Sequence, residues 1–177
     1  MQDLHGRSIN YLRISLTDRC NFHCTYCRPN HSKKLCHTDI LTYEEIFKLC
    51  AVAVDLGIHQ FKITGGDPFI RKDCLSFLER LKAMPGVSWV SITTNGSLLE
   101  ESDLRFLHKI GIDGISISLD TMNPITGVPA LERVIQTIQS AYELGLSVKI
   151  NAVVENFIDR LGAFAMDQNS KISVAFY

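Results

Sequence analysis

Apolar positions along this chain alternate between two rhythms. Tyr11–Leu16 has the alternation of a strand. A long polar stretch follows, to about Leu41. Thr42, with Glu45 three residues on, then predicts a capped helix start. Ile46, Leu49, Cys50, Ala53 and Leu56 recur at helical spacing up to Gly57, and Ile58–Thr64 reads as the next strand. The phrase repeats. A helix from about Asp73 carries Leu75, Leu78 and Leu81, stops at Pro85-Gly86, and leads to a strand over Trp89–Thr93. A helix with Leu104, Leu107 and Ile110 stops at Gly111 before a strand over Gly114–Leu119. Pro129 suits a first helical turn. The helix it opens carries Leu131, Val134, Ile135, Ile138 and Ala141, and stops at Gly145 before Ser147–Val154. A weaker helical pattern over Ile158–Met166 precedes a last strand over Ile172–Phe176.

Six strands joined by five helices predict an α/β fold with a parallel sheet and right-handed crossovers. Eight such units would close a barrel, so the expectation is a partial TIM barrel of (β/α)6 type, one domain over residues 1–177. Along the strands one phase is aliphatic: Leu12, Ile14, Phe61, Ile63, Val90, Ile92, Ile115, Ile117, Val148 and Ile150. The other phase is polar: Arg13 and Ser15, Lys62 and Thr64, Ser91 and Thr93, Ser116 and Ser118, Lys149 and Asn151. Parallel sheets are normally covered on both faces. Polar and cationic groups on a covered face call for a polar or anionic ligand.

Composition narrows the field. The chain has 177 residues, 46% hydrophobic and 21% charged, with a net charge of −1. That is ordinary globular composition, with no basic excess pointing to nucleic acid or an anionic membrane. No apolar run approaches the roughly 18 residues of a membrane span. The polar N-terminus carries no secretory pattern, and six cysteines without one suggest a reducing, cytoplasmic setting. The six histidines read as surface residues.

Three of those cysteines fall within eight residues, Cys20, Cys24 and Cys27, spaced C-x3-C-x2-C. Soft thiolates suit iron–sulfur clusters, zinc or copper. The spacing fits paired-ligand zinc sites poorly, although His23, Cys36 or His37 could add a fourth zinc ligand. A four-iron cluster held by three cysteines would keep one iron open. Cys50 and Cys74 lie in helical segments and read as plain buried thiols. The cysteine loop leaves the C-terminal end of the first strand and Gly65-Gly66-Asp67-Pro68 leaves that of the second. That end is where parallel α/β folds build their sites. The two glycines would let backbone approach a ligand and expose N–H and C=O groups to it.

These features resemble the radical S-adenosylmethionine (SAM) enzymes. The block Gly6-Arg7 through Tyr11–Cys20, together with Thr64-Gly65-Gly66, Thr93-Thr94-Asn95-Gly96, Ser118-Leu119-Asp120, Ile125-Thr126-Gly127 and Val148–Asn151, resembles the GTP 3′,8-cyclases of molybdenum cofactor biosynthesis. The resemblance implies a 4Fe–4S cluster on Cys20, Cys24 and Cys27, and reductive cleavage of SAM to a 5′-deoxyadenosyl radical. It implies SAM contacts at Tyr26, Gly65, Gly66, Asp67 and Ser118. GTP would meet Arg13, Lys62, Thr93 and Lys149. It further implies a lyase acting on a small molecule, an electron-donor protein and room for a homodimer, with no nucleic acid and no membrane.

The sequence departs from that family in four respects. Lys62 stands for an Arg, which keeps the charge but loses the bidentate fork. Asp67 stands for a Glu. The segments Thr121–Pro124 and Asn156–Lys171 are short. The family's later residues, with three cysteines for a second cluster and a glycine-rich tail, do not follow Tyr177, so weak GTP binding is expected. The competing expectations are a radical SAM enzyme acting on another substrate, such as a peptide, and a non-catalytic protein that binds a cluster or zinc.

Overall fold

The structure is a computed structural model, and it describes residues 2, 4–24, 27, 35–119, 131–153 and 173–176. Six strands, β1 (Tyr11–Ser15), β2 (Gln60–Thr64), β3 (Trp89–Thr94), β4 (Gly114–Ser118), β5 (Val148–Ala152) and β6 (Ser173–Phe176), follow one another in the sheet in chain order. The helices are α1 (Tyr43–Asp55), α2 (Cys74–Lys82), α3 (Glu101–Lys109) and α4 (Leu131–Glu143), with short 3-10 turns at His37–Asp39 and Pro68–Ile70. The predicted helix over Ile158–Met166, Pro129 and Tyr26 lie outside the described residues. No helix among the described residues is long and apolar enough to cross a membrane.

The chain divides into two compact units, Met1–Ser91 and Ile92–Tyr177. In the first, β1 and β2 pair in parallel with Arg13 opposite Lys62 and Ser15 opposite Thr64. Phe61 and Ile63 are wholly buried while Lys62 and Thr64 are half-buried, so β2 keeps the alternation read from the sequence. In the second unit β5 pairs in parallel with both β4 and β6, which sets Ser116 beside Lys149 and Ser118 beside Asn151.

Thr42 and Glu45 close the expected capping box: Thr42 Oγ1 accepts from Glu45 N, and Glu45 Oε2 accepts from Thr42 N at 2.7 Å. Such a cap is worth about 0.5–2 kcal/mol. The far ends of three helices repeat one device. Ile58 N donates to Ala53 O and Gly57 N to Val54 O; Ile112 and Gly111 do the same on Leu107 and His108, and Leu146 and Gly145 on Ala141 and Tyr142. These are Schellman caps, in which a left-handed glycine lets the next residue turn back on the helix. Ile58, Ile112 and Leu146 are each buried at the point of return. That apolar turn starts the chain toward the following strand.

One expectation changes. On α1 only Ile46, Cys50 and Ala53 are buried, whereas Leu49, Val52 and Leu56 are more than half exposed. They form a second stripe, rotated about a quarter turn from the first. The apolar spacing was therefore wider than the face the helix buries.

Candidate functional site

The chemistry-bearing residues of the first unit sit where β1 and β2 end. Leu16 N donates to Thr64 O, which carries the β1–β2 ladder one step past the strands. Gly66 N then donates to Thr17 O at 2.6 Å and Asp67 N to Arg19 O at 2.7 Å. The glycine turn is thereby laced to the three residues that precede Cys20. A Cβ on Gly65 would lie 2.7 Å from Thr17 O, and one on Gly66 would collide with the Arg19 carbonyl. Glycine is required here because two backbones pass too close for a side chain.

This corrects one part of the reading from sequence. The N–H groups of Gly66 and Asp67 are spent on the cysteine loop rather than held out for a ligand. Gly66 itself is exposed. Asp67 is wholly buried, and its Oδ1 accepts from Phe69 N as the cap of the 3-10 turn.

The loop that follows is tied at several points. Arg19 N donates to Thr17 Oγ1, and Leu35 N donates to Asp18 Oδ2 at 2.8 Å across sixteen intervening residues. Phe22 N donates to Cys20 Sγ at 3.3 Å, and Cys27 N to Cys24 O. No disulfide joins the six cysteines; Cys20 and Cys24 are half-buried and Cys27 is exposed. As placed, no three His, Cys, Asp or Glu side chains among the described residues are gathered closely enough to hold a metal ion. In number and chemistry the donor set nonetheless fits a thiolate-held cluster: three cysteine sulfurs on one loop, none of the three residues wholly buried. Cys50 and Cys74 do not belong to it. Burial pushes their thiols up to about 11 and about 12, in the second case with help from the nearby Asp67 carboxylate. A thiol so disposed is a poor ligand and a poor nucleophile.

Polar atoms buried without a partner point to a missing ligand, because such atoms are normally hydrogen-bonded. Among the described residues, Asp18 Oδ1 and Arg19 Nε, next to Cys20, and Ser91 Oγ on β3 are such atoms in the first unit, and Asn151 Oδ1 on β5 is one in the second. Ser91 and Asn151 both belong to the polar strand phase singled out from the sequence. Asp18 and Arg19 do not; in the sequence they stood out only as part of the block before Cys20 that carries the family resemblance.

Of the other candidate residues, Arg13 and Lys62 are brought together as cross-strand neighbours, the first exposed and the second half-buried. In the second unit Ser118 and Lys149 are half-buried on adjacent strands, each opposite a polar residue of the other strand. Thr93 is half-buried on β3. Tyr26 falls outside the described residues.

Comparison with known proteins gives this arrangement a lineage. The model of the Radical SAM superfamily matches residues 14–156. A GTP 3′,8-cyclase from Geobacter sulfurreducens is 45% identical over 158 residues, covering 86% of this chain and 48% of the relative. One from Thermodesulfovibrio yellowstonii is 41% identical over 176 residues, covering 94% and 54%. The chain thus spans about half the length of the curated relatives it matches. Among solved structures, Streptococcus suis SuiB bound to S-adenosylmethionine superposes with a TM-score of 0.71 at 24% identity, over 95% of this chain and 39% of that one. The native enzyme anSMEcpe with bound AdoMet gives 0.73 at 20% identity, over 94% and 50%. These two likenesses bear on the fold, which is the expected partial barrel. With its cysteine loop, glycine turn and most of its length inside the family match, the chain belongs to the Radical SAM superfamily.

Proposed function

We propose that this chain is the SAM-cleaving part of a lyase of the GTP 3′,8-cyclase type, working in the cytoplasm in molybdenum cofactor biosynthesis. Cys20, Cys24 and Cys27 would hold one 4Fe–4S cluster. When bound, that cluster supplies the electron that breaks a carbon–sulfur bond of SAM. The chain's own residues do the rest. The lacing of Gly66 and Asp67 to Thr17 and Arg19 sets the root of the cysteine loop. Asp18 Oδ1 and Arg19 Nε offer a buried acceptor and a buried donor beside it.

The observation that carries the choice of substrate is the pair Arg13–Lys62. Two cations directly opposite each other on neighbouring strands repel. A polyphosphate turns that repulsion into attraction, and Arg binds phosphate oxygens through paired N–H groups. Thr93, Lys149 and Ser118 supply polar groups of the same strand phase, the first two for GTP and Ser118 for SAM.

The test is anaerobic reconstitution with iron and sulfide. The expected outcome is about four irons per chain, and 5′-deoxyadenosine on adding SAM and dithionite. Cys24→Ala should give neither. Equal SAM cleavage by parent and Cys24→Ala, or zinc in place of iron, would end the proposal. GTP binding should weaken when Arg13 and Lys62 are both replaced by Met. Unchanged binding would remove GTP as the substrate while leaving SAM cleavage standing.

A further inference from the structure

The cysteine loop has two feet. One is Leu16, at the end of β1; the other is Leu41, just before the Thr42 cap of α1. Both foot carbonyls are held by one side chain. Arg71 donates from Nη1 to Leu16 O at 2.8 Å and from Nη2 to Leu41 O at 2.7 Å. Its guanidinium lies 4.1 Å from the centre of the Tyr43 ring. Tyr43 is fixed in turn: its hydroxyl donates to Lys72 O at 3.0 Å, and its ring stacks on the buried Phe77 at 4.7 Å. Arg71 itself follows the 3-10 turn that Asp67 caps. The two ends of the loop therefore meet on one guanidinium, carried by the residue that ends the 3-10 turn after the glycines.

The packing beneath the loop makes that contact matter. A cavity of about 310 Å³, lined by Leu12, Ile14, Leu35, Ile46 and Leu49, opens beside Arg71. Ile40 and Leu41 of the far foot line the same cavity, and Leu41 is exposed. Arg80 offers a comparison within the same aromatic stack. It lies 4.1 Å over Phe47 and pairs with Glu44 at 3.4 Å, and neither partner belongs to the loop.

We propose that Arg71 is a positioning residue that closes the feet of the cysteine loop and so sets how firmly Cys20, Cys24 and Cys27 retain their cluster. This rests on the reading that the loop holds one. The planar fork is what allows one side chain to meet two carbonyls; a lysine ammonium at this site would keep the charge and satisfy one of them.

The test uses Arg71→Met, Arg71→Lys and, as control, Arg80→Met. Two quantities are measured: amide hydrogen exchange of the metal-free protein at Arg19, Leu35, Gly66 and Asp67, and the rate of iron loss to a chelator after reconstitution. Arg71→Met should speed both by about tenfold for each net hydrogen bond lost. Arg71→Lys should recover part of the difference, and Arg80→Met should match the parent. Exchange in Arg71→Met equal to the parent, or an equal rise in Arg80→Met, would overturn the proposal. If the parent never takes up iron, the cluster reading fails, while the exchange measurement still decides whether Arg71 closes the loop.

Discussion

Two turns that look alike in sequence leave the ends of neighbouring strands. Gly65-Gly66-Asp67 follows β2, and Asn95-Gly96-Ser97 follows β3. In the first, the glycines are pressed against the backbone of Thr17 and Arg19, and the turn's N–H groups are given to the cysteine loop. The second closes on itself and on the core. Gly96 N donates to Thr94 Oγ1, and Ser97 N and Oγ both donate to Asn95 Oδ1. The buried Thr137 hydroxyl of α4 donates to Gly96 O at 3.0 Å. A Cβ on Gly96 would meet the Ile117 side chain at 3.1 Å rather than any loop. One glycine turn presents a loop, and the other joins a strand to a helix. The difference lies in what approaches the glycine, which a single sequence does not display.

That difference should appear most strongly in paired alanine substitutions. Gly66→Ala puts a methyl group into the Arg19 carbonyl, so the backbone before Cys20 must move. We expect SAM cleavage and iron retention to fall by more than tenfold, since displacements of about 1 Å can cost a site two orders of magnitude. Far-UV circular dichroism should keep the parent's helix content. Retention of parental iron binding would mean that the first turn, like the second, serves packing alone.

Gly96→Ala is expected to act on stability instead. Its φ is +77°, where a Cβ costs about 1–2 kcal/mol. The short approach to Ile117 adds to that. For a chain of this size each kcal/mol lowers Tm by about 2–4 °C, so a loss of several degrees is the expected reading in a thermal melt. Iron retention at a temperature well below the transition should match the parent. If Gly96→Ala instead released iron as Gly66→Ala is expected to, the two turns would not be distinct.

Much of the frame was legible because local chemistry agrees with tertiary demand. The Schellman glycines, the Thr42–Glu45 box and the alternation along β2 and β5 each follow from a short stretch of chain. The site was legible only in part. Arg13 and Lys62 could be put on one face by counting, but their direct opposition depends on register. Arg71 gave no signal, because its partners are 55 and 30 residues away and are backbone carbonyls, which every residue has. Asp67 was placed only through the family resemblance, and its capping of the 3-10 turn through Phe69 N could not be read from the sequence. Leu49 and Leu56 misled, since helical spacing shows which side chains align but not whether anything covers them.

The smallest effect we expect concerns the far foot of the same loop. Thr42 follows Leu41, and its backbone N–H, with its hydroxyl in second place, holds the Glu45 carboxyl below the usual carboxylate range. The sign follows from linkage: a carboxyl whose folded pKa is depressed contributes stability above its unfolded value. That contribution is lost as pH falls through the folded one. Acid should therefore loosen the start of α1 before it disturbs the second turn, where the bonds described above are made by the neutral side chains of Thr94, Asn95 and Thr137. Glu45→Gln keeps the shape of the box and removes the titration. Measured by amide exchange at Glu45 and Ile46, the parent should lose protection as pH falls below the reference carboxylate value. The variant should show a flat profile over that fall, with Gly96 and Ser97 unchanged in both. An acid-dependent loss of protection that persists in Glu45→Gln would assign the effect to another carboxylate and separate α1's cap from the anchoring of the loop.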